Sequence, residues 1–139
     1  MQQQQLYLLV LVLIVIGMAV AVGIGMFTDY AISANRDAVA HDLINFALQA
    51  HQYYRRPTQQ NGGGGSFVGL SADADGLSRI TNIPGGKNGN GTYSIYAAGT
   101  ATDIVLQGVG TEVLADGNHV TMRILVSTVG PLDSVYQVY

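Results

Sequence analysis

From Leu6 to Phe27 the chain runs for 22 residues without a charged or hydrogen-bonding side chain except the phenol of Tyr7, and five uncharged residues, Met1 to Gln5, precede it. No other feature constrains the fold as strongly. As a helix the run spans about 33 Å, the thickness of a bilayer's hydrocarbon core. A chain of 139 residues that commits this much length to one apolar rod has room for one modest core, built from the residues after about position 30.

Three roles are open to such a run. A cleaved secretory signal is suggested by Ala19-Val20-Ala21, but a positive leading region is missing and the apolar run exceeds a usual signal core. A membrane anchor needs only lipid around it. A third role uses lipid first and copies of the same helix afterwards. Gly17, Ala21 and Gly25 share one helix face at i, i+4 and i+8, and small residues in an apolar setting let backbones approach closely.

The helix does not end where the run ends. Between Thr28 and Arg56 there is neither proline nor glycine, and Pro57 is the first residue to oppose helix. Ile32, Val39, Leu43, Phe46, Ala50 and Tyr53 recur with the 3.6-residue period, and Asp29, Arg36, Asp37, Asp42, Asn45 and Gln49 supply the polar remainder. The pattern predicts one helix from Leu6 to Arg56. Its amphipathic half, 28–56, carries a small domain, and its apolar half, 1–27, projects bare.

The remaining segment, 57–139, reads as loop-rich. Gly is 18 of 139 residues and clusters at 62–65, 85–86 and 89–91, so Pro57 to Ser66 is expected to be a flexible connection. Strands are predicted over Thr92–Ala97, Asp103–Gly108, His119–Ser127 and Ser134–Tyr139, with turns at Ala98-Gly99, Asp116-Gly117-Asn118 and Gly130-Pro131. The expected fold is therefore α+β, a long N-terminal helix packed on a small antiparallel sheet whose inner face meets Val39, Leu43, Phe46 and Ala50.

Chemistry-bearing residues are few. With net charge -3 and no basic run longer than Arg55-Arg56, the chain lacks the positive footprint of a nucleic-acid binder. The absence of cysteine removes disulfides and thiolate metal sites. His41 and His51 lie about 15 Å apart on the helix and His119 stands alone, a spacing unlike a zinc site. Asp73 and Asp75 are the candidates for a cation loop, without its later glutamate. Asn90-Gly91-Thr92 matches the glycosylation acceptor pattern at Asn90. No nucleophile, base or phosphate-loop pattern is present, so neither catalysis nor a cofactor is expected.

The apolar helix, continuous with an amphipathic stem, resembles the type IV pilins and the related pseudopilins of type II secretion. The closest local likeness is Ile16-Gly17-Met18-Ala19-Val20-Ala21-Val22-Gly23-Ile24-Gly25, followed by Asp29-Tyr30-Ala31. The resemblance covers Leu6 to Tyr54. It implies a subunit held in the inner membrane, processed by a prepilin peptidase at an N-terminus here represented by Met1, and methylated there. An assembly platform then stacks it into a helical homopolymer at the cell surface. Filament-core packing would fall to Leu6, Leu9, Leu13, Gly17, Ala21 and Gly25. Gln5 stands where the family has a glutamate that pairs with a neighbour's amino terminus. If Gly17 is aligned to the family's glycine, that position falls on Leu8. In both registrations the carboxylate is missing. The alternatives are a minor pseudopilin of a secretion system and a membrane-anchored binding module.

Overall fold

The computed structural model describes residues 1–129 and 134–138. One α-helix, α1, runs from Gln2 to Arg55 without a break, about 80 Å of rod. It begins four residues earlier than predicted, because the glutamines are good helix formers and extend the apolar run toward Met1. It stops one residue before the predicted end at Arg56. Arg56 takes the extended conformation that a following proline enforces.

The segment after α1 corrects the expectation of a flexible connection. The glycine run folds back over the helix end, where the N–H groups of Gly63 and Gly65 donate to the carbonyls of Tyr53 and Tyr54, both at 2.8 Å, and that of Gly64 donates to Arg56 at 2.9 Å. Carbonyls left unpaired at a helix C-terminus need such donors. A short helix, α2 (Ala74–Ser78), follows and packs on the first strand.

Four strands form one antiparallel meander in the order β1 (Gly91–Ala97), β2 (Asp103–Val113), β3 (His119–Ser127) and β4 (Ser134–Val138). The register is set by inward apolar residues, with Leu106 opposite Ile124 and Ile104 opposite Val126. The Asp116-Gly117-Asn118 turn forms as predicted, with Gly117 at φ 85° and Asn118 N–H donating to Asp116 Oδ1 at 2.9 Å. The Gly130-Pro131 turn and Tyr139 lie outside the described residues.

β2 is longer than the predicted Asp103–Gly108, because Gly108, read as the strand's end, serves with Gly110 as clearance beneath the helix. A Cβ on Gly108 would sit 2.7 Å from Val39 Cγ1, and one on Gly110 would sit 2.0 Å from Asn35 Oδ1. Glycine inside a strand marks such an approach of another element.

The inner sheet face packs on one stripe of α1, chiefly through the two central strands β2 and β3. Val39, Leu43, Phe46, Ala50 and Tyr53 are buried as the period predicts, Ala47 joins them, and Ile32 is half-buried at the core's edge. Opposite them lie Tyr93, Ile95, Ile104, Leu106, Val120 and Ile124, closed at the far end by Phe67, Leu70 and Leu77. The Phe46 and Tyr93 rings meet edge to face at 4.9 Å between centroids. The result is the α+β arrangement read from the sequence, a long helix on a four-stranded antiparallel sheet.

Candidate functional site

The candidate site has two parts, a bare rod and the clamp that holds it to the sheet. Every large apolar side chain from Leu6 to Phe27 is exposed, from 45% at Val10 to 78% at Phe27. The sheet does not reach this part of α1, so nothing among the described residues covers it. Leu6, Leu9 and Leu13 are 60–64% exposed, within the range of their neighbours. No atom outside the local helix backbone and chain neighbours comes within 4 Å of a Cβ built on Gly17, Gly23 or Gly25. The helix is long and apolar enough to cross a membrane, with none of its most hydropathic window buried.

The clamp is polar and sits where the sheet begins. Asp42 lies on the flank of the buried stripe and accepts three hydrogen bonds at Oδ2: from Tyr93 Oη at 2.6 Å, Asn90 Nδ2 at 2.8 Å and Asn88 Nδ2 at 2.9 Å. One helix carboxylate thus gathers a strand and the loop leading into it. Asn88 in turn shapes that loop, its Oδ1 accepting from the N–H groups of Asn90 and Gly91.

Seven residues earlier on α1, Asn35 is 9% exposed and fully engaged. Its Nδ2 donates to the Asn90 carbonyl at 2.8 Å and to Thr111 Oγ1 at 3.3 Å, while its Oδ1 accepts from Glu112 N–H at 3.3 Å. Two side chains two helical turns apart therefore bolt α1 to β1, to β2 and to the loop before β1. An amide with both ends satisfied costs little to bury, and a mis-docked helix would leave it orphaned.

The electrostatics of the clamp follow from its contacts. Burial raises the Asp42 carboxyl, but hydrogen bonds from Asn90, Tyr93 and Asn88, with the positive charge of His41 nearby, more than reverse this, so it ionises below its ordinary range. Tyr93 moves the other way. Burial first, then donation to Asp42 and that carboxylate's charge, push its phenol well above the ordinary value and keep it a donor.

The residues singled out from sequence fall into place unevenly. The helix-domain stripe is brought together as a core. The two acidic cation candidates separate in role: Asp73 caps α2, Oδ1 accepting from Gly76 N–H at 2.6 Å and from Ser71 Oγ at 2.8 Å, while Asp75 lies in the first turn of that helix. The cap on Gly76 and the Ser71 bond hold the Asp73 carboxyl below its usual range. Among the described residues no three His, Asp or Glu side chains converge on a point that could hold a metal. Asn90, the glycosylation candidate, has its side-chain nitrogen bound to Asp42.

Asn35, Asp42, Asn88, Gly108 and Gly110 were not identifiable as a set from sequence. The signal that could have found part of it is the alternation Gln107-Gly108-Val109-Gly110-Thr111, where glycine recurs with the strand period and so marks one face held close to another element. Comparison of the chain with protein-family models, with curated proteins and with solved structures finds no match.

Proposed function

We propose that the protein is the structural subunit of an extracellular helical filament of the type IV pilus kind. In this reading its apolar helix half is stored in a membrane and then buried among copies of itself. The observation that carries the reading is the exposure of every large apolar side chain from Leu6 to Phe27 on a helix that continues, unbroken, into a stem clamped by its own domain. Covering a rod of this kind is worth tens of kcal/mol gross at about 25 cal/mol per Å², before ordering costs. A one-sided sheet cannot supply that cover. A bundle of parallel rods can, from every side.

The clamp has a role in this scheme. A subunit drawn out of a membrane by its stem transmits force between rod and domain, and the Asn35 and Asp42 contacts join the two near the point where the domain starts. The membrane and an assembly platform are the partners before polymerisation, and other copies are the partners after it.

The test is paired replacement of Gly17 and Gly25 by leucine. Insertion into membranes is expected to persist, because the run becomes more apolar, while fibres recovered by shearing producing cells fall at least about tenfold, since added side chains hold the rods apart. Unchanged fibre yield and symmetry would contradict the proposal.

A second reading, a single-pass anchor bearing a binding domain, is favoured by the match between the run's length of about 33 Å and a bilayer core. It predicts a monomer in detergent, and function that survives exchange of residues 6–27 for an unrelated anchor.

A further inference from the structure

The stem has a second face. Directly opposite the buried stripe, Met26, Tyr30, Asp37, Ile44, Leu48 and Arg55 point away from the sheet, all exposed, with Tyr30 at 68%, Ile44 at 47% and Leu48 at 56%. Apolar side chains this exposed on the clad half of the helix are not explained by its packing on the sheet.

Their order is informative. Met26, Tyr30 and Asp37 recur about five whole turns later, ~27 Å along the axis, as Ile44, Leu48 and Arg55. A whole number of turns returns each residue to the same angular position. The upper set is apolar, apolar and negative; the lower set is apolar, apolar and positive. Asp37 and Arg55 are both exposed, and neither has a side-chain partner among the described residues of its own protomer.

We propose that a second copy of this chain lies parallel to the first, stem face to stem face and displaced by these five turns, so that Met26 packs on Ile44, Tyr30 on Leu48, and Asp37 pairs with Arg55. The inference rests on the filament reading above and deepens it by fixing one register between copies. Two other registers lose the pair between Asp37 and Arg55. With no displacement, Asp37 faces Asp37 and Arg55 faces Arg55. One turn short of the proposed displacement, His41 faces Arg55, and Asp37 exchanges the guanidinium for the imidazole of His51. The face opposite the sheet is also the one both copies can present to a common axis while their domains point outward.

The chain has no cysteine, which makes the register directly readable. Full-length protein carrying Tyr30→Cys together with Leu48→Cys, in fibres sheared from producing cells and mildly oxidised, is expected to give a ladder of disulfide-linked multimers. The two positions are ~27 Å apart within one helix, so they cannot close on themselves. Each single variant is expected to give no ladder, and Tyr30→Cys with Ile44→Cys at most about a tenth of the double variant's yield.

Fibres whose ladder comes from the Tyr30/Ile44 pair, or from neither pair, would overturn the register and leave the filament reading standing. Absence of fibres from cells making the unaltered chain would overturn both. A charge exchange covers the case in which the cysteine variants do not assemble. Asp37→Arg or Arg55→Asp alone should lower fibre yield about tenfold, and the two together should restore it to within about twofold. Failure of the double variant to recover would overturn the register.

Discussion

The two halves of α1 differ in what they ask of their surroundings, although both are rich in apolar residues. In residues 28–55 the apolar side chains form one main stripe, Val39, Leu43, Phe46, Ala50 and Tyr53, which the sheet covers, and only a few such as Ile44 and Leu48 stay exposed on the opposite face. In residues 6–27 they go all the way round, and every large one stays exposed. A stripe can be satisfied by one sheet from the same chain. A rod that is apolar on all sides needs cover on all sides, which a single small domain cannot give and which lipid or a bundle of like rods can. The first charged residue, Asp29, marks the change from one regime to the other.

The contrast can be broken most severely by removing one half. A chain starting at residue 28 should leave the membrane fraction entirely and remain a folded monomer, because among the described residues no part of the core lies before Ile32. Its melting temperature should stay within about 4 °C of the parent domain's transition, the shift expected from a change below 1 kcal/mol. Sedimentation velocity and a thermal scan check this, and loss of the folded transition would show that the rod supports the domain.

Next in size is a matched pair of truncations. Leu43→Ala, inside the stripe and fully buried, should cost the domain about 2–5 kcal/mol in denaturant unfolding. Leu13→Ala, on the rod and 60% exposed, should change the same measurement by less than about 0.5 kcal/mol. Equal effects would erase the distinction between the halves.

The clamp predicts a smaller effect with its own signature. Asp42→Asn keeps the shape but removes the charge that three donors share, and is expected to cost about 1.5–3 kcal/mol. Because the folded carboxyl ionises below the ordinary value of 3.8, its contribution is complete above that value and is lost as pH falls through the lowered folded one. Asp73, Asp103 and Asp116 are also held low by hydrogen bonds, so the unaltered protein should destabilise below about pH 4. Asp42→Asn should flatten that acid limb without abolishing it, as read by urea midpoints across pH 2.5–6.

Much of this contrast was legible in the sequence, since it is written in period. The stripe Ile32–Tyr53 and the alternation of β3 each depend on residues within a few positions of one another, and both give the elements found. The clamp was not legible, because Asp42 meets Asn88, Asn90 and Tyr93 across about fifty residues, and only docking of helix on sheet brings them together. Asp42 read as one more polar residue off the stripe. The glycines misled in two opposite ways. Those at 62–65 read as slack and instead cap α1, while Gly108 read as the end of β2 and instead, with Gly110, lets Asn35 and Val39 sit against it. Composition gives a glycine's freedom, and only the surrounding fold gives its use.

The central claim is that other copies of the chain cover the apolar rod. Electron cryomicroscopy of fibres sheared from the surface of producing cells, with the polypeptide identified by mass, tests it most directly. The account predicts a helical polymer of this chain with Leu6 to Phe27 buried among neighbouring rods and the four-stranded sheet outside. Recovery of the chain only as a lone protomer with that segment in lipid, and no polymer under any growth condition, would contradict it.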